Sequence, residues 1–212
     1  MAAPKRALVV VDVQKEYFGG PLEVVHPTPA DALANIVAVM KTAAEAEIPV
    51  IAVQHVMPTG APVFVEGSDG YKLHPDIESI LTSATKRVQK QFGSVFAGTD
   101  VTEWLRARGI DTITIVGFMT NNCDLATAVE AEGLGFAAEV LSDATGAINL
   151  ANSAGTVSAH TLHTTLMTLL HSNFAAVATT GQWVDAVRNQ TGLEKSNLVE
   201  SALSGRTATA TN

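Results

Sequence analysis

The chain has 212 residues, 47% hydrophobic and 16% charged, with a single cysteine. That length suits one domain with a sizeable core. One cysteine excludes an internal disulfide framework and any cysteine-only zinc site, and makes a reducing cytoplasm the expected compartment. The formal net charge of -8, with 13 Lys+Arg scattered along the chain, leaves no basic face for a nucleic acid.

In chain order, short β-branched runs alternate with segments of helical period, the pattern of a parallel sheet with crossover helices. Strands are predicted at residues 7–12, 50–55, 87–90, 112–117, 137–141 and 175–179, several of them near-continuous apolar runs of the kind covered on both faces. The first apolar run, residues 7–11, is too short for a signal peptide before Asp12 interrupts it, so no membrane address is expected. Thr28 is placed to cap a first helix with Pro29 at its start and Leu33, Ile36, Val37 and Met40 on its inner face. Residues 55–87, with three glycines and three prolines, form a long connection of the kind that serves as a lid or binding loop.

Further helices are expected at residues 99–108, closed by Gly109, and at 121–132, closed by Gly133. A last one is expected from about residue 152 to 171, with Ala159, Leu162, Leu166 and Leu169 as its apolar stripe. Residues 144–184 contain no Asp, Glu, Lys or Arg but are dense in Ser, Thr, Asn and His. This is no bilayer span, which needs roughly 20 mostly apolar residues; an uncharged outer face instead suggests a homo-oligomer, dimer or tetramer. The domain is expected over residues 1–190, with 191–212 an extension that loosens into an aperiodic tail from Ser204. Asn189 opens a glycosylation sequon that nothing else supports, and no phosphate-cradling glycine motif occurs.

Ligands of an open parallel sheet bind beyond the carboxyl ends of its strands. Three reactive side chains fall there: Asp12 after the first strand, Lys90 at the end of the third, and Cys123 after the fourth, opening a helix. An acid, an amine and a thiol at one sheet edge make a plausible nucleophilic site. A helix N-terminus and a neighbouring ammonium are expected to populate the Cys123 thiolate near neutral pH. Asp12 is suited to accept a proton and later deliver one to a departing amine, and backbone N–H groups of the turn before the helix to bind an oxyanion.

The segments ALVVVDVQKEYF (residues 7–18), KQFGSVFAGT (90–99) and GFMTNNC (117–123) together resemble the isochorismatase-like cysteine hydrolase superfamily, over roughly residues 6–184. The resemblance implies an α/β fold: a three-layer α/β/α sandwich with a mostly parallel, Rossmann-like six-stranded sheet. It also implies a small-molecule substrate, an amide, ureide or carbamoyl compound. An Asp-Lys-Cys triad cleaves its C–N bond through a thioester-like intermediate, without metal or other cofactor. By position, Asp12 is then the general base, Lys90 the charge partner and Cys123 the nucleophile. A cis peptide between Phe118 and Met119 is implied, with Met119 and Cys123 supplying the oxyanion hole.

Departures from the family pattern shape the rest of the reading. The Asp-x-His metal pair of nicotinamidases is missing, because the stretch reads Val53, Gln54, His55, Val56. Isochorismatases generally lack the cysteine, so Cys123 speaks against vinyl-ether cleavage. Asp124 stands where the family usually has an apolar residue, and its charge opposes a thiolate unless it points away. Substrate-binding candidates are Gln14, Phe18, His55, Phe64, Tyr71 and Phe118, although Phe64 and Tyr71 serve equally well to pack the loop down. Lys86 and Arg87 rival Lys90 until the spacing to Ser94, Phe96, Gly98 and Thr99 selects it. His160 and His163, one helical turn apart, lack a further ligand and read as polar helix-face residues. A scaffold that has lost turnover and binds a metabolite or partner is the competing reading.

Overall fold

The computed structural model describes residues 3–209. Among the described residues eight strands and seven helices follow one another: β1 (Arg6–Val11), α1 (Pro29–Glu45), β2 (Val50–His55), the single-turn α2 (Pro75–Glu78), β3 (Lys86–Lys90), α3 (Val101–Ala107), β4 (Thr112–Phe118), α4 (Leu125–Leu134), β5 (Ala137–Gly146), β6 (Leu150–Asn152), β7 (Gly155–Val157), α5 (Ala159–Ser172), β8 (Ala176–Ala178), α6 (Thr180–Arg188) and α7 (Leu198–Thr209). Six strands form one sheet in the order β3-β2-β1-β4-β5-β8, with every pairing parallel.

The alternation of side chains along β1 explains the layers. Ala7, Val9 and Val11 enter a core shared with Leu105 of α3, Ala128 of α4 and Leu170 of α5, whereas Leu8 and Val10 enter one shared with Ile36 of α1 and Trp183 of α6. Successive side chains on a strand point to opposite faces, so this strand is covered twice and can be apolar throughout. The result is the three-layer sandwich. Thr28 caps α1 by accepting from the Asp31 N–H, with Pro29 in the first turn.

Three boundaries differ from expectation. The last long helix starts at Ala159, not near 152, because Asn152 and Gly155 turn residues 150–157 into an antiparallel hairpin and Ser158 caps the helix by accepting from the Thr161 N–H. Its buried face is Ala159, His163, Met167 and Leu170, so Leu162, Leu166 and Leu169 are not the inner stripe; Leu169 is exposed. The helix after β4 runs past Gly133 to Leu134 and closes at Gly135, which adopts the left-handed conformation that favours glycine. Residues 204–209 are helical within α7 and not a loose tail; 210–212 lie outside the described residues. No helix among the described residues is long and apolar enough to cross a membrane.

Candidate active site

The strand order reverses between β1 and β4, and the crevice at such a switch point is where open α/β sheets bind ligands. Asp12 and the segment after Phe118 leave the sheet there. Gly117 pairs with Val11, and a Cβ on it would lie 2.0 Å from the Val11 carbonyl oxygen, so only glycine allows the two strand ends to approach this closely. Asp12 follows with φ 48, a left-handed conformation that aspartate tolerates better than most residues. The Phe118–Met119 peptide bond is cis. Residues Thr120–Asp124 then form a π-helical turn that leads into α4 and carries Cys123.

Lys90, the last residue of β3, reaches past the end of β2 to meet both. Its Nζ lies 2.6 Å from Asp12 Oδ2 and 3.1 Å from Cys123 Sγ, and all three side chains are buried. It also contacts the Phe92 carbonyl oxygen at 3.1 Å and His55 Nδ1 at 3.1 Å. Four acceptors surround an ammonium with three hydrogens. The rival cations are engaged elsewhere, Lys86 with Asp100 and Arg87 with Glu78.

Ligand atoms of Asp12, His55 and Cys123 lie within 4.8 Å of one another, a donor set that could hold a metal ion. The Lys90 ammonium already sits against all three, so the cluster carries its own cation. His160 and His163 belong to no such group among the described residues.

The electrostatics overturn one expectation. Burial pushes the Cys123 thiol well up and the Asp12 carboxylate adds to this, while Lys90 pulls the other way without prevailing. The resting thiol is therefore protonated at neutral pH; the sequence reading of a populated thiolate omitted the desolvation that accompanies the helix end. Burial also works against the Lys90 ammonium, but Asp12 and Cys123 outweigh it and hold the group charged. Burial and then Lys90 push His55 down, so its neutral ring accepts from the ammonium. Asp124 does not point away to solvent. It is wholly buried, neither carboxyl oxygen has a hydrogen-bond partner, and burial followed by Asp12 raises it far above the usual carboxylate range. A neutral Asp124 does not oppose a thiolate.

Gln14 is a clamp. Its amide donates to the carbonyl oxygens of His55 (3.0 Å) and Tyr71 (2.7 Å) and accepts from the His55 N–H (2.8 Å), tying the end of β2 to the long connection. Phe64 is buried with its ring 5.4 Å from that of His55, and the Phe118 ring lies 5.6 Å from that of Phe18. Phe18 also lines a cavity of ≈490 Å³ with Lys15, Glu16, Gly70 and His74. Tyr71 reaches the site only through its carbonyl, since its hydroxyl accepts from Gln89 on the outer strand. Met119 is buried, and its carbonyl accepts from the N–H groups of Asn122 and Asp124, bracing the turn.

Tyr17 was not singled out by sequence. Its ring packs on Phe64 and Phe118, and burial, Asp12 and Cys123 keep its phenol protonated. Its place in the KEYF segment, five residues after Asp12, was the available signal.

A thiol, a carboxylate and an ammonium thus lie buried together at the switch point of a parallel α/β/α sandwich, the kinds of group that nucleophilic chemistry employs. The chain belongs to the isochorismatase family of hydrolases: residues 6–182 match the Isochorismatase domain. An uncharacterized isochorismatase family protein of Bacillus subtilis, YrdC, is 28% identical over 182 residues, covering 85% of this chain and 95% of its own. The nicotinamidase/pyrazinamidase of Mycobacterium tuberculosis is 31% identical over 166 residues, 68% of this chain and 88% of its own. A crystal structure of a Burkholderia xenovorans protein named for the same family superposes with a TM-score of 0.95 at 42% identity, covering 99% of this chain and 100% of that one.

Proposed function

We propose that the protein is a metal-independent cysteine hydrolase that cleaves the C–N bond of a small amide, ureide or carbamoyl compound. The observation that carries this reading is the single Lys90 ammonium in contact with both the Asp12 carboxylate and the Cys123 thiol. The likeness to an amide-hydrolysing nicotinamidase supports the reaction class. In the first half-reaction Asp12 takes the thiol proton as Sγ attacks the substrate carbonyl, and Lys90 stabilises the sulfur as it gains charge. The N–H groups of Met119 and Cys123 receive the oxyanion. Collapse breaks the C–N bond, the amine leaves with the proton held by Asp12, and a thioester remains on Cys123. Asp12 then takes a proton from the water that attacks the thioester; the C–S bond breaks, the acid leaves, and Asp12 returns the proton to Sγ to restore the thiol.

A protonated resting thiol fits this sequence, because the proton moves only when a carbonyl is present to be attacked. The aromatic rings of Phe18, Phe64 and Phe118 form the apolar wall of the substrate site in this reading. Homo-oligomerisation belongs to the same proposal, supported by Leu150 and Leu169, exposed on a segment without charged residues.

The test is ammonia release from a panel of small amides, ureides and carbamoyl amino acids with a chelator present, comparing wild type with Cys123→Ser. Release by wild type alone is expected. Equal release by folded Cys123→Ser would remove the nucleophile from the reading, and silence of folded wild type across the panel would favour a binding scaffold.

A further inference from the structure

Chemistry at Cys123 depends on where the turn Thr120–Asp124 is held, and a histidine outside the triad holds it. His163 lies on the inner face of α5 and is buried. Its Nε2 is 2.9 Å from the Ser142 carbonyl oxygen on β5, and its Nδ1 is 3.0 Å from Thr120 Oγ1. A carbonyl oxygen only accepts, so Nε2 carries the hydrogen; in a neutral ring Nδ1 then accepts, and the Thr120 hydroxyl donates to it. Burial supports the neutral form by pushing His163 down to about 4. The ring of His26 packs edge-on at 5.6 Å and itself meets His160 at 4.6 Å, which covers His163 from outside.

We infer that His163 is a positioning residue for the hydrolytic reaction: it bolts the first residue of the nucleophile's turn to β5, fixing the segment on which Met119 and Cys123 stand. Thr120 directly follows Met119. The other residues of the turn have separate fastenings, with Thr127 Oγ1 donating to the Cys123 carbonyl at 2.7 Å and Asn121 Oδ1 accepting from the Ile148 N–H. His163 is thus the side-chain anchor of Thr120, and its loss leaves a wholly buried hydroxyl without its acceptor. Misplacement of catalytic groups by about 1 Å can cost on the order of 10²-fold in rate.

The inference rests on the proposed role of Cys123, and the experiment separates the two. His163→Leu, His163→Gln and Thr120→Val are compared with wild type for kcat, KM and the rate at which iodoacetamide alkylates Cys123, the chain's one thiol. We expect His163→Leu and Thr120→Val to lower kcat by roughly 10-fold or more with KM nearly constant. His163→Gln, which presents an acceptor and a donor at similar spacing, recovers most of the loss. If His163→Leu fails to fold, Thr120→Val, nearly isosteric, decides. Lowered thermal stability with wild-type kcat in the folded variants would overturn the inference and leave His163 a packing residue. If wild type turns over nothing on the panel, the alkylation rate still decides: altered rates in the Leu and Val variants, restored by Gln, sustain the positioning role, and equal rates in all four proteins overturn it.

Discussion

Lys90 Nζ stands 3.1 Å from Cys123 Sγ and closer still, at 2.6 Å, to the Asp12 carboxylate. Removing the ammonium leaves Asp12 buried without a counter-charge, facing a thiol that burial already holds protonated. Lys90→Met is expected to lower turnover by on the order of 10²–10⁴-fold and to destabilise the fold by about 3–5 kcal/mol, the usual cost of stranding one member of a buried pair. Adding Asp12→Asn to Lys90→Met should return much of the stability and none of the activity. Denaturant melts and steady-state rates on wild type and the two variants check both halves; wild-type turnover by Lys90→Met would refute the assigned role.

The raised Cys123 thiol makes a direct prediction about reactivity. Its ordinary value is 9.0, and burial with Asp12 moves it upward. The thiolate fraction in the folded protein therefore keeps rising through pH 9 and beyond. Alkylation by iodoacetamide should increase about tenfold per pH unit from pH 7 to 9 with no plateau. A plateau beginning near pH 7 would mean that Lys90 and the turn dominate after all. Because the unfolded chain ionises its cysteine first, the same shift makes stability fall as pH climbs past the ordinary thiol value.

Asp124 leaves a different signature. Its folded carboxyl is raised, so between the unfolded value of 3.8 and the folded one the native state binds more protons than the unfolded state. Stability from this group is greatest below the unfolded value and is lost as pH rises. Asp124→Asn cannot titrate and should be more stable than wild type at pH 7, with the advantage shrinking as pH approaches 4. Midpoints of urea unfolding at pH 4, 5, 6 and 7 measure this; a constant difference across the series would show that Asp124 does not bind its proton in the fold.

What the sequence revealed follows from where local rules suffice. Asp12 and Lys90 lie at the carboxyl ends of β1 and β3, and the carboxyl ends of parallel strands share one edge of the sheet, so the meeting of Asp12, Lys90 and Cys123 was legible. Thr28 with Pro29 marked α1 because capping is a matter of a few adjacent residues. The orientation of Asp124 was not legible, because neighbours in a π-helical turn are not oriented like those of an ordinary helix and its burial depends on distant elements. The stripe on α5 was read one residue out of register because His163, a polar residue, occupies the inner face through hydrogen bonds to β5 and the turn, which periodicity of apolar residues does not register. The uncharged run that suggested one long helix hid the hairpin of β6 and β7, where Asn152 and Gly155 set the turn.

The end of the sheet remote from the site holds a second buried charge pair, and it tests what keeps the strands in register. Arg6 on β1 donates from Nε and from its terminal nitrogen to the Glu139 carboxylate on β5, the shortest contact being 2.8 Å, and Thr114 on the intervening β4 donates to the same carboxylate at 2.8 Å. The Trp183 indole N–H of α6 donates to Thr114 and Glu139, and Arg6 also reaches the Thr191 carbonyl. Every member but the last is buried, so the network joins three strands and a helix while satisfying its own charges. Glu139→Leu should cost about 3–5 kcal/mol, since it leaves a guanidinium buried without its partner. Arg6→Met with Glu139→Leu should cost clearly less than the two single changes added together, because the double variant buries no uncompensated charge. Urea unfolding of the four proteins in a double-mutant cycle measures the coupling. Strict additivity would mean that the pair contributes nothing jointly and that packing of Trp183 alone holds this end of the sheet.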